Sequence, residues 1–141
     1  ALSPGVEFFR GSSSEGYPFW RNAERLAAVV TVAMPNCNSK VKDAPIDAPP
    51  DRAAYLALLS RKFSAMLAAA AQARAAVVVV PDVGCGAYGN DPRDVGQALG
   101  DVVRNGFSRT FAEIHLVGQE AFADAAEKAG GGGYWGRWSF R

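Results

Sequence analysis

The chain of 141 residues carries two cysteines, one histidine and a formal net charge of only +1. Each scarcity removes a class of function. Cys37 and Cys85 lie far apart without metal-ligand spacing, and His115 is the single imidazole, so a zinc site would need ligands that the chain hardly supplies. No metal and no cofactor are expected. Two unclustered cysteines read most simply as reduced thiols in an intracellular, reducing compartment, with a single disulfide as the alternative. The basic residues are scattered and nearly balanced by acidic ones, which argues against a nucleic-acid partner or an anionic membrane surface. No uninterrupted apolar run reaches the ~20 residues of a bilayer span. Gln72 and Arg74 interrupt the nearest, at 65–80. The opening residues show no signal-peptide pattern.

What remains is ordinary globular composition, 49% hydrophobic and 21% charged. The length supports one domain with a real core and is too short for two. Residues 6–9 suggest a short strand, 11–16 a loop, and 27–34 (AAVVTVAM) a mostly buried strand stopped by Pro35-Asn36. From about Asp51 the apolar residues Leu56, Leu59, Phe63, Met66, Leu67 and Ala70 recur at helical steps. The strand at 76–80 is apolar on both faces, as in a central parallel strand covered by helices. A helix is expected from Pro92, with Asp91 as N-cap and Asn105-Gly106 as its stop. A strand at 111–117 and a helix at 120–128 complete a strand–helix alternation. That order predicts a three-layer α/β/α, mostly parallel sheet.

The densest motif is VVVVPDVGCGAYGNDP, residues 77–92. Its glycine loop joins a strand to a helix amino terminus, where ligands bind in such folds. Glycines let successive N–H groups converge on an anion without any lysine, and the missing lysine excludes the Walker type of phosphate loop. Gly84, Gly86 and Gly89 also spell G-x-G-x-x-G, but Asn90-Asp91-Pro92 follow Gly89, so the third glycine precedes the helix. The acidic residue expected about 20 positions onward is absent too. Cys85 on a strand-to-helix turn could be a nucleophile, yet Val83 and Ala87 flank it where an elbow wants small residues. His115, inside the next strand, reads as a packed core imidazole, and Cys85 as inert. A merely structural turn stays open, because glycines also serve left-handed backbone angles.

Val83-Gly84-Cys85-Gly86-Ala87-Tyr88-Gly89-Asn90-Asp91-Pro92 resembles the W-G-C-G-x-F-x-N-D-P loop of microbial-type poly(ADP-ribose) glycohydrolases, a branch of the macro domain superfamily. Ser3-Pro4-Gly5-Val6 with Phe9-Arg10-Gly11 is similar to that family's S-P-x-V-x-x-F-R segment, and Val32-Ala33-Met34-Pro35-Asn36 to its strand ending in A-x-P-N. The resemblance covers roughly residues 3–118. It implies a macro-like domain at 1–129, incomplete on its N-terminal side, followed by a glycine-rich linker and an aromatic, basic tail at 130–141. It further implies that Gly84, Cys85, Gly86, Ala87, Tyr88, Gly89 and Asn90 would contact the diphosphate and ribose of ADP-ribose, with Asn90 and Asp91 also shaping the loop and starting the helix.

Two departures weigh against catalysis. The family's P-G-G-G loop and paired glutamates lie upstream of the S-P-x-V segment, where this sequence begins, and Val83 stands in place of the customary tryptophan. Glycosidic cleavage needs a positioned carboxyl group. None of Glu7, Glu15, Glu24, Glu113, Glu120 or Glu127 occupies such a family position, so no catalytic residue is expected. The partners implied are ADP-ribose or an ADP-ribosylated protein, together with a missing N-terminal half or a protein partner. The alternative is a degenerate macro-like module acting as a non-catalytic structural or interaction subunit. Tyr17, Phe19 and Trp20 near the start, and Tyr134, Trp135, Trp138 and Phe140 at the end, are its candidate anchors. An unrelated α/β nucleotide-binding domain is the third reading.

Overall fold

The computed structural model describes residues 1–26 and 28–131, together with the backbone of 137–140. Gly132, Gly133, Tyr134, Trp135, Gly136 and Arg141, with the side chains of Trp138 and Phe140, all part of the tail named above, lie outside the described residues. The protein is mixed α/β, with three α-helices and three small sheets among the described residues.

Two antiparallel pairs open the chain. Strand β1 (Leu2–Pro4) pairs with β4 (Ala28–Val30), in register Leu2 to Val30. Between them, β2 (Glu7–Arg10) and β3 (Phe19–Arg25) form a hairpin closed by a 3-10 turn at Ser13–Glu15. The strand expected over 27–34 is therefore shorter than its apolar run. Thr31–Met34 carry no ladder, although Val32 and Met34 still point into the core.

Helix α1 (Arg52–Gln72) starts where its residues dictate. The Asp51 carboxylate accepts the Ala54 N–H at 2.8 Å, satisfying one of the orphan donors of the first turn. Tyr55, Leu59, Phe63, Met66, Leu67 and Ala70 form its buried face. Strand β5 (Val77–Pro81) follows, and helix α2 (Pro92–Val102) begins behind the Asp91 cap with Pro92 in the first turn. The stop expected at Asn105-Gly106 does not occur. A π-helical turn, Val103–Phe107, runs through both residues and brings Phe107 into a stack with Phe111, ring centroids 6.3 Å apart. Strand β6 (Glu113–Val117), helix α3 (Glu120–Gly130) and strand β7 (Arg137–Phe140) complete the chain. The backbone of 137–140 thus joins the sheet as a strand.

The parallel sheet has the order β5–β6–β7, which places β5 at an edge. Val78 lies opposite Ile114 and Val80 opposite Leu116, and this face meets the buried sides of all three helices in one core cluster. The other face is uncovered: Val77 is 50% and Val79 63% exposed. An apolar run reads alike for a strand covered on both faces and for one covered on a single face, so the valines gave no warning. His115, expected as a core imidazole, is half-buried on this outer side with its Nε2 2.8 Å from Glu113 Oε2.

Helices α2 and α3 approach through glycine. A Cβ on Gly96 would collide with the Phe122 carbonyl oxygen, and one on Gly100 with that of Ala126. The absent side chains let two helix backbones touch, which fixes α2 against the sheet and thereby the loop that precedes it.

Candidate functional site

The glycine loop leaves β5 at its carboxyl end and reaches α2 through two anchors. The first is Asp82. Its N–H donates to the Val117 carbonyl at 3.0 Å, and its carboxylate accepts the N–H and side-chain amide of Gln119 at 3.1 and 3.0 Å. The second is Asn90, only 2% exposed. Its backbone N–H and its Nδ2 both donate to the Gly84 carbonyl, at 3.1 and 2.9 Å, closing the loop on itself. Nδ2 also donates to the Pro35 carbonyl at 2.9 Å, and Oδ1 accepts the Tyr55 hydroxyl at 2.7 Å and the Cys37 thiol at 3.5 Å.

A second buried asparagine supports the wall beside the loop. Asn36, 3% exposed, donates its side-chain amide to the Ala44 and Pro45 carbonyls at 2.8 and 3.2 Å, and its backbone N–H to Asp47 at 2.5 Å. The segment so fixed ties to the loop: Cys37 N–H donates to the Tyr88 carbonyl and Asn38 Nδ2 to that of Ala87, each at 2.9 Å.

These bonds use some of the loop's backbone groups and leave others. The carbonyls of Pro81, Asp82, Gly84, Gly86, Ala87 and Tyr88 all accept hydrogen bonds within the protein. The N–H groups of Val83, Cys85, Gly89 and Asn90 are likewise spent. Among the described residues, those of Gly84, Gly86, Ala87 and Tyr88 have no partner. Six of the loop's carbonyls are thus spent and four of its N–H groups are not; the carbonyls of Cys85, Gly89 and Asn90 also have no partner among the described residues, and the free N–H groups are what an oxygen-rich ligand would use. Gly84 sits at φ +80°, and a Cβ there would meet Asn90 Nδ2 and Met34 Cβ at 2.7 Å. That position requires glycine. Gly86 is different: nothing lies within 4 Å of its would-be Cβ.

The electrostatics are less generous to an anion than a bare helix terminus would be. Asp91 caps α2 by accepting the Arg93 N–H at 2.8 Å, so the helix's positive end already faces a carboxylate. Arg52 is held in a two-pronged pair with Asp94, both contacts at 2.7 Å, which raises its pKa. Cys85 is pushed up to about 11, chiefly by burial and then by the Asp82 and Asp91 carboxylates, so its thiol is protonated at neutral pH. Burial, and then Cys37, raise the Tyr55 hydroxyl well above its usual range. The site holds unspent backbone donors, a protonated thiol and hydroxyl, and the carboxylates of Asp82, Asp91 and Asp94.

Of the seven residues predicted to touch a ligand, the fold thus distributes the roles unequally. Gly84, Gly86, Ala87 and Tyr88 hold the unspent donors; Cys85, Gly89 and Asn90 use theirs to shape the loop. The sequence reading missed Tyr55 and Asn38 as supports. Pro35-Asn36 after an apolar run was their one local signal. A cavity of about 340 Å³ opens beside the loop, lined by Cys37, Pro49, Pro50, Tyr55, Gly89 and Asp94 among others. Among the described residues no cluster of three metal-ligating side chains occurs, and no helix is long and apolar enough to cross a membrane. Comparison with known proteins finds no matching family, no matching curated protein and no matching solved structure.

Proposed function

We propose that this chain is a macro-domain-like module whose loop 84–90 binds the diphosphate of ADP-ribose, free or attached to protein, and that it binds without cleaving. The observation that carries the reading is the set of four unspent N–H donors on Gly84, Gly86, Ala87 and Tyr88, beside six carbonyls already bonded within the protein. Diphosphate oxygens accept from such backbone donors without a lysine. The letter-for-letter likeness of Gly84-Cys85-Gly86 and Asn90-Asp91-Pro92 to the glycohydrolase loop supports the same ligand. Against cleavage stand a protonated Cys85 and the pairing of three of the six glutamates elsewhere, Glu7 with Arg25, Glu15 with Ser12 and Glu113 with His115. On this reading the uncovered valine face of β5 is where the third layer of a complete macro fold would lie, supplied by an N-terminal half or by a partner protein.

The test is a titration of the purified chain with ADP-ribose and, separately, with adenosine monophosphate. Saturable binding of the first and much weaker binding of the second supports a diphosphate loop. Equal affinity for both sinks it. Incubation with an ADP-ribosylated protein should release no ADP-ribose.

A second reading, a non-catalytic interaction subunit, is favoured by the amino-terminal hairpin. Phe9, Tyr17 and Phe19 there are 54%, 55% and 68% exposed.

A further inference from the structure

Among the described residues, hairpin β2–β3 stands apart from the other elements. Every residue of both strands is exposed, and it holds together by its own ladder, the Glu7–Arg25 ion pair, the Arg10 guanidinium 4.0 Å above the Phe19 ring and the Phe9–Phe19 stack at 6.0 Å. A two-stranded hairpin with no further support is marginal in water; three or more strands are needed for independent stability. Phe8, Phe9, Tyr17, Phe19 and Trp20 are 45%, 54%, 55%, 68% and 42% exposed. At ~200 Å² for each aromatic side chain that is roughly 500 Å² of exposed apolar surface in all, shared between the hairpin's faces, since Phe9 stacks on Phe19 while Phe8 and Trp20 are their chain neighbours.

The free edge of β3 has a sequence that complements itself. The strand runs Phe19–Arg25, seven residues, and pairs on one side only, with β2. Its other edge makes no backbone hydrogen bond to any described residue. Placed antiparallel to a copy of itself about Asn22, it sets Phe19 opposite Arg25, Trp20 opposite Glu24, and Arg21 opposite Ala23. No like charges face each other, and a cation meets an aromatic ring at both ends. It contains no proline or lysine, and its charges, Arg21, Glu24 and Arg25, are the ones this register places opposite uncharged or aromatic residues.

We propose that β3 pairs antiparallel with β3 of a second copy of this chain, with Asn22 on the two-fold axis, to give a four-stranded sheet β2–β3–β3–β2. The dimer stands independently of ADP-ribose binding. Pairing supplies each hairpin with the additional strands it lacks, and joins its aromatic rows across the seam.

Sedimentation equilibrium of the intact chain up to about 200 µM should show a monomer–dimer equilibrium, consistent with an interface at the small end of the specific range. The register makes a sharper claim. Trp20→Glu sets two carboxylates against the two Glu24 side chains and should weaken association about tenfold or more. Trp20→Lys sets two ammonium groups there instead and should keep the dimer. At concentrations where all three proteins are monomeric, both variants should unfold at the wild-type midpoint, since Trp20 is exposed. Asn22→Cys in a Cys37→Ser background should give a reducible cross-linked dimer on mild oxidation, because directly opposed residues bring their Cα atoms to disulfide range. A chain that stays monomeric throughout overturns the pairing, including one whose hairpin is held instead by another protein. So does equal weakening by Trp20→Glu and Trp20→Lys, or failure of the Asn22→Cys cross-link.

Discussion

The Tyr55 hydroxyl, on helix α1, donates at 2.7 Å to the Oδ1 of Asn90, which lies 35 residues further along at the foot of α2. This bond joins the long helix to the loop, and through Asn90 Nδ2 to the Pro35 and Gly84 carbonyls. A buried amide that satisfies partners from three segments cannot be removed cheaply.

Asn90→Ala strands the Tyr55 hydroxyl and the Pro35 carbonyl, and should cost about 3 kcal/mol of stability in urea unfolding. Tyr55→Phe removes one donor and leaves Asn90 Oδ1 with the weaker thiol donor of Cys37, for about 1–2 kcal/mol. The double variant Tyr55→Phe/Asn90→Ala should cost less than the sum, because the two changes delete one shared bond. Additive losses would mean that the pair is not coupled.

Gly96 and Gly100 should tolerate no side chain. Alanine at either forces α3 away from α2, since the new methyl meets the Phe122 or Ala126 carbonyl. A loss of about 2–3 kcal/mol is expected at each. Gly106→Ala, where nothing lies within 4 Å, should instead be neutral or stabilising by about 0.5 kcal/mol through the reduced freedom of the unfolded chain. Thermal unfolding of the three variants separates close approach from mere helix propensity.

Stability should fall in alkali before the backbone itself is stressed. The ordinary thiol pKa is 9.0, whereas burial and two nearby carboxylates push Cys85 up to about 11 in the native state. Below the lower value both states hold the proton and stability is unaffected. Between the two, the unfolded chain releases a proton that the folded chain retains, so stability drops as pH rises. The raised Tyr55 hydroxyl acts in the same direction. Denaturant midpoints across that interval should decline, and less so in Cys85→Ala. A thiol reagent at neutral pH should modify the exposed Cys37 well before Cys85.

Much of this fold is written locally. Asp51 and Asp91 cap the two helices they precede in the sequence, and the apolar steps from Leu59 to Ala70 place α1 correctly. The loop's position between β5 and α2 follows from Pro81, its glycines and Asn90-Asp91-Pro92. What the sequence withholds is set by distant partners. Tyr55 looks like one more apolar position of α1 until Asn90 arrives beside it, and Asn90 looks like a ligand contact until its amide is seen fully spent. Val77 and Val79 could equally have lain beneath a helix layer. Gly96 and Gly100 look like weak spots in a helix, and only the carbonyls of α3 explain them.

The central claim is that the unspent amides of Gly84, Gly86, Ala87 and Tyr88 hold a diphosphate, and calorimetry of ADP-ribose binding with Gly86→Glu tests it most directly. The substitution enters open space, so the fold and its unfolding midpoint should be unchanged. A carboxylate is placed where phosphate oxygens would sit. The account predicts binding in the micromolar range for the wild-type chain, about −8 kcal/mol, and its loss in Gly86→Glu. No measurable heat with the wild-type chain, or equal affinity in the two proteins, would contradict it.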